Sequence, residues 1–222
     1  MENHPDLAKE LKARGLAVLP VTVVDGTRTV VGFDIPALKE ALSIEGDTPR
    51  DLSAPELLEK YRLLYWGAKR AVRQIPDEKL DWVTPQKERR GQTLRQLAFH
   101  LFDRPDVCMH AAQIGEYTYE MCHEYEQLAH DYATTRELLE YADVILQRLE
   151  HFLTAEPEIT EKTVATYFGP KTVGRLLNMA LVGLALRIKQ TYYFEKVIGI
   201  EPQNPLQDED FSGILVPRNI FG

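Results

Sequence analysis

Residues 172–199 read TVGRLLNMALVGLALRIKQTYYFEKVIG. The threonine at the head offers a side-chain oxygen to the free N–H groups of a first helical turn, and the glycine at the foot accepts the left-handed conformation that ends many helices. Between them Leu176, Leu177, Ala180, Leu184, Ile188, Tyr192 and Val197 keep one face apolar, so the stretch predicts a long amphipathic helix. Its most apolar part, Leu176 to Leu186, is broken by Asn178 and Gly183 and followed by Arg187 and Lys189. That falls short of the roughly 20 apolar residues a membrane span needs, so other helices must cover it and no membrane partner is expected.

Working outward, three further helices carry the same signature. Thr134 with Glu137 forms a capping box ahead of Leu138, Leu139, Ala142, Ile145, Leu146, Leu149 and Leu153. Ser53 with Glu56 does the same ahead of Leu57, Tyr61, Leu64, Tyr65, Ala68 and Val72, and Ile75-Pro76 stops that helix. Thr93 caps a helix through Leu94, Leu97, Ala98, Leu101 and Phe102, expected to kink at Pro105 and run on to Ile114. Four such helices within residues 54–203 predict a mainly α chain built on an up-down four-helix bundle. Tyr117, Tyr119, Tyr125 and Tyr132, mixed with Glu116, Glu120, Glu124 and Glu126, read as a solvated connection. The tail 204–222 is irregular, and Phe211, Ile214, Leu215, Val216 and Phe221 are apolar enough to pack on the bundle or on a partner chain.

Residues 1–45 follow a different rhythm. Leu7, Ala8 and Leu11 suggest a short helix stopped at Gly15, then Val18 to Val24 and Thr29 to Val31 suggest two strands joined at Asp25-Gly26. Pro36 to Leu42 closes the segment as a second helix, and residues 46–53 are a linker by composition. A helix-strand-strand-helix unit of this size encloses too little core to stand alone.

The chain has 222 residues, 44% of them hydrophobic, and a formal charge of −8, with no face clustered in Lys or Arg. Nucleic acid is not an expected partner, because phosphate binding needs local positive charge. Cys108 and Cys122, with no secretory leader before them, suggest free thiols and a cytoplasmic location.

Two resemblances rest on particular residues. Ile75-Pro76-Asp77-Glu78-Lys79-Leu80, Leu94-Arg95-Gln96-Leu97-Ala98-Phe99-His100, and Gln190 followed by Val197-Ile198-Gly199-Ile200-Glu201-Pro202 resemble, in order and spacing, the DinB-like family of metal-binding bundles. The resemblance implies a four-helix bundle, often dimeric, in which a metal activates a low-molecular-weight thiol for transfer or isomerisation. It also implies one histidine ligand on the second helix and a pair one turn apart on the fourth. His100 stands at the first position, but Gly183 and Arg187 stand at the pair. Glycine has no donor atom and a guanidinium repels a cation, so no metal and no resident cofactor are expected. Separately, Leu16 to Val24 and Val30-Val31-Gly32-Phe33-Asp34 resemble the second half of a glutaredoxin or thioredoxin-like domain, with Pro20 where those proteins have a cis proline. The half that would carry CxxC is missing, so the segment is not an oxidoreductase.

These readings lead to a divergent member of the family that binds a small ligand without a metal or serves as a scaffold. The alternative is a transferase or isomerase dependent on a thiol such as glutathione, with His100 as the candidate catalytic base and Arg187 as anion anchor. His100 reads first as a hydrogen-bonded bundle histidine. Arg187, between Leu184 and Ile188, is expected to face the bundle and to meet Asp103, Glu195 or a bound anion. Cys108, Cys122, His123 and His130 lack the spacing of a replacement metal site. Tyr167, in Tyr167-Phe168-Gly169-Pro170, is a candidate for the rim of the bundle mouth, though core packing is the preferred reading. Pro20 is a candidate docking point for a thiol, with a packing or dimer role preferred for its segment. Open strand edges there, together with the family habit, lead to an expected homodimer.

Overall fold

The computed structural model describes residues 5–13, 21–31, 35–45, 50–85 and 91–216. The chain is mainly helical and divides into two compact units, Met1–Thr48 with Tyr167–Gly169, and Pro49–Thr166 with Pro170–Gly222.

In the first unit, α1 (Pro5–Ala13) precedes an antiparallel hairpin of β1 (Val21–Val24) and β2 (Arg28–Val31), and α2 (Ile35–Ala41) follows. Asp25 and Gly26 both take positive φ, 51° and 70°, and the Thr27 N–H donates to the Val24 carbonyl at 3.2 Å. That twist suits a tight hairpin, which is why an Asp-Gly pair sits there. Val24, Val30 and Ala41 form a small core with Ala37 and Leu38 packed on it. The expected beginning of the first strand, Gly15, Pro20 and the Gly32-Phe33-Asp34 turn lie outside the described residues.

The second unit holds α3 (Ala54–Gln74), α4 (Leu94–Phe99), α5 (Asp103–Ile114), α6 (Tyr119–Gln127), α7 (Thr135–Ala155) and α8 (Val173–Val197). Helices α3, α5, α7 and α8 close a bundle in which α3 and α5 each pack against both α7 and α8. The seam of α3 is fully enclosed at Leu57, Tyr61, Leu64, Tyr65, Ala68, Ala71 and Val72, and α7 buries Leu138, Ala142, Ile145, Leu149 and Leu153. These are the steps of three and four residues that put side chains on one helical face.

Asn178, the polar break in the apolar run, clamps the entrance of α3. Its Oδ1 accepts from the Leu52 N–H at 2.9 Å, and its Nδ2 donates to the Leu52 and Gly174 carbonyls at 3.2 and 2.9 Å. Along α8 the buried seam runs Leu184, Ile188, Thr191, Glu195, while Val197 is 46% exposed. The expected stripe through Tyr192 and Val197 is thus moved to Thr191 and Glu195 in the last turns, and a carboxylate occupies the inward position.

The interruption of the second helix does not lie at Pro105. It falls at His100 to Phe102, where Phe102 N–H bonds to the Phe99 carbonyl at 2.9 Å and α5 starts afresh at Asp103. Pro105 then stands in the first turn of α5, where its missing N–H has no intrahelical partner to lose. The Tyr65 hydroxyl satisfies the carbonyl freed at Phe102, at 2.9 Å.

The connection read as solvated is ordered and partly buried. It forms β3 (Glu116–Tyr117) and α6, and Met121 and Cys122 pack with Val107 and Ala111. Tyr117 and Tyr125 lie against this cluster. β3 pairs in parallel with β4 (Thr163–Thr166), which pairs antiparallel with β5 (Lys171–Thr172). The tail packs on its own bundle through Leu206 and Phe211, and Gly67 leaves the room, since a Cβ there would stand 2.5 Å from Leu206 Cδ1. Phe221 lies outside the described residues.

Candidate functional site

The break between α4 and α5 places His100 and Asp103 together at the centre of the bundle. His100 Nδ1 lies 2.9 Å from Asp103 Oδ2, with His100 8% exposed and Asp103 fully enclosed. Burial pushes the Asp103 carboxyl up, but the His100 hydrogen bond and the Arg104 and Arg187 cations outweigh it and hold the group below the ordinary carboxylate range. It is therefore ionised at neutral pH and only accepts, so Nδ1 carries the shared proton. His100 Nε2 has no hydrogen-bond partner among the described residues.

Arg104 faces the same carboxylate, with Nε 3.6 Å from Asp103 Oδ1, and donates from Nη2 to Glu126 Oε1 at 2.8 Å. One turn along α5, Asp106 meets Arg148 Nη1 of α7 at 2.6 Å, and burial raises its pKa despite that cation. Tyr141 of α7 stacks on Phe99 with ring centroids 5.0 Å apart. Its hydroxyl is buried, has no hydrogen-bond partner among the described residues, and is held protonated by burial and by Asp103 and Asp106.

Arg187 enters from α8. Its side chain lies back over Gly183, so that a Cβ at Gly183 would stand 3.0 Å from Nη1. Helical side chains lean towards the N-terminus, and glycine one turn earlier gives the guanidinium its path. Arg187 is partly exposed, and burial followed by repulsion from Arg104 lowers its pKa. It stays a cation, as guanidinium groups in proteins do. Among the described residues its head makes no hydrogen bond or ion pair, although Asp103 acts on it electrostatically. The expected pairing in direct contact with Asp103 or Glu195 is therefore not made.

Glu195 is a further buried carboxyl, 1% exposed, with neither oxygen hydrogen-bonded among the described residues. Burial pushes its pKa up to about 8. Both thiols are poor nucleophiles, because Cys108 and Cys122 are buried and burial raises each pKa.

Of the sequence candidates, His100 contacts Asp103, while Arg187 acts on Asp103 electrostatically without a hydrogen bond or ion pair to it among the described residues. Tyr167 belongs to the other unit, is 41% exposed and packs edge-to-face on Phe168 at 4.8 Å, so the preferred core placement does not hold. Pro20 lies outside the described residues. Among the described residues no three His, Cys, Asp or Glu side chains converge as metal ligands, and at the positions where the resemblance would put ligands Gly183 and Arg187 offer no donor to an ion beside His100. The metal implied by the resemblance does not fit this donor set. The spacing of His100, Asp103 and Asp106 at successive third residues was a legible signal of the histidine–carboxylate pair, and Glu195 was named only as a partner for Arg187; Tyr141 carried no signal. Comparison with known proteins finds neither a family model nor a curated protein that matches this chain.

Proposed function

We propose that the helical unit is a divergent DinB-like bundle that binds a small ligand bearing an anionic group, without a metal, through Arg187. The observation that carries this reading is the Arg187 guanidinium itself: partly buried, laid over Gly183, and without a hydrogen bond or ion pair among the described residues. A buried cation gains several kcal/mol from a matched anion, and the planar fork suits a carboxylate or phosphate. Titration of the full chain with acetate and with inorganic phosphate, followed by NMR, tests it. Binding lost in Arg187→Gln supports the reading; no binding of either probe by the native chain defeats it.

A second reading is favoured by the histidine–aspartate pair. Asp103 fixes the His100 ring with Nε2 as acceptor, the arrangement of an oriented general base. In a thiol-dependent transferase or isomerase, Nε2 would take the proton of a glutathione-like thiol, leaving a thiolate to attack the electrophile. The protein's own buried cysteines do not supply that nucleophile. A glutathione conjugation assay that shows no turnover dependent on His100 removes this reading. The homodimer and the half-thioredoxin origin of the first unit are proposals of the same standing, and a light-scattering mass tests the former.

A further inference from the structure

Arg104 stands between two carboxylates and is hydrogen-bonded to only one of them. Its Nη2 donates to Glu126 Oε1 of α6 at 2.8 Å, while its Nε stops 3.6 Å from Asp103 Oδ1, beyond hydrogen-bonding reach. Asp103 accepts from His100 Nδ1 through Oδ2 at 2.9 Å, and its Oδ1 accepts no hydrogen bond among the described residues. The end of α4, the start of α5 and the end of α6 are thus joined by one chain of contacts, running His100, Asp103, Arg104, Glu126.

Only 15% of the Arg104 side chain is exposed, so its charge depends on protein partners more than on water. If Glu126 lost its charge, the acid left in contact would be Asp103, and a small turn of the guanidinium would bring Nε within reach of Oδ1. The Asp103 carboxylate would then divide its charge between Arg104 and His100, and its bond to the imidazole Nδ1–H would weaken. With Glu126 ionised, Arg104 is held off and Asp103 keeps that charge for the ring.

We infer that Glu126 is a positioning residue for the histidine–aspartate pair, setting through Arg104 how firmly Asp103 holds and polarises the His100 ring. The inference rests on the reading of His100 as an oriented general base and adds α6 as the element that regulates it. His123 Nδ1, 3.8 Å from Glu126 Oε2 and 63% exposed, puts the far end of the chain of contacts in touch with the surface. The other groups that act on it are Arg187 of α8, Tyr65 of α3, Tyr141 of α7 and Asp106 of α5 at Asp103, and Tyr117 and Cys122 at Arg104. A substitution at Glu126 leaves each of these side chains unaltered.

The test reads the His100 Nδ1–H resonance of the full chain by NMR at neutral pH with no ligand added. This proton moves downfield as its bond to the carboxylate strengthens, and its absence in His100→Gln assigns it. Glu126→Gln, isosteric at a partly exposed position, should shift it upfield. Arg104→Gln removes the shared cation and should shift it downfield, and adding Glu126→Gln to that variant should move it no further. An unmoved resonance in folded Glu126→Gln overturns the inference. So does an equal upfield shift in the Arg104→Gln background, since that would be the direct field of the lost charge. If Arg104→Gln does not fold, the single variant decides: an upfield shift supports the inference, and an unmoved or downfield resonance overturns it. No substrate enters the measurement, so its failure is distinct from failure of the general-base reading, which the glutathione assay decides.

Discussion

Asp103 accepts the Nδ1 proton of His100 at 2.9 Å from a position with no exposed surface. The bond joins the end of α4 to the start of α5 across the break that separates them, so it is both an orienting contact for the imidazole and a brace for the chain. Asp103→Asn keeps the shape and removes the charge. Loss of a buried hydrogen bond to a charged group should destabilise the fold by about 1.5–3 kcal/mol in urea unfolding at neutral pH. The sign of the pH effect follows from the lowered Asp103 pKa. Its contribution is full above the unfolded carboxylate value and is lost as pH falls through the lower folded value. The difference between native and variant should therefore close in acid; a difference that widens there contradicts the assignment.

Glu195 titrates with the opposite sign. Its pKa rises from 4.5 to about 8, so the folded chain keeps a proton that the unfolded chain releases. Stability is full below about 4.5 and declines as pH rises to about 8, by up to about 1.4 kcal/mol per pH unit from this group. Glu195→Gln should flatten that decline and raise stability at pH 8 and above. Parallel stability curves for the two proteins across this window would show that Glu195 finds a partner for its charge.

Gly183→Ala separates stability from binding. Alanine is favoured over glycine inside a helix by about 0.5–1 kcal/mol, yet its Cβ would stand 3.0 Å from Arg187 Nη1 and push the guanidinium aside. The melting temperature should hold or rise while acetate and phosphate binding falls. Unchanged affinity in a stable variant would mean that the position of the guanidinium does not govern the site.

The buried thiols should stay silent. Cys108 is 1% exposed and Cys122 8%, and burial disfavours both thiolates, so a chromogenic disulfide reagent should modify them slowly until urea is added. Rapid modification of native protein would admit a cysteine to the chemistry.

What the sequence made legible follows from where its signals are local. Thr134 bonds the Glu137 N–H and Glu137 returns the bond to Thr134, as a capping box read from three letters requires. The Asp25-Gly26 turn is equally local. The place of the helix break is not, because it depends on Tyr65 reaching Phe102 from another helix. The burial of Glu195 was hidden for a related reason: Tyr192 and Val197 extend a plausible apolar stripe, and only packing against the other helices rotates the seam onto a carboxylate. At the site, the residue types at 100, 183 and 187 could be compared with a family pattern, but the contacts of Asp103 with His100 and Arg104 and the stacking of Tyr141 on Phe99 needed three dimensions.

The parallel pairing of Glu116–Tyr117 with Ala165–Thr166 bears on how the chain opens. Parallel neighbours cannot be joined by a tight turn, and all of α6 and α7 lies between these two strands. The Ala165 amide, bonded to the Gly115 carbonyl at 3.0 Å, is held only while both ends of that long excursion are in place. Its hydrogen exchange should therefore track the unfolding of the whole bundle rather than fraying of a surface strand, which makes one backbone proton at the edge of the unit a reporter of its global stability.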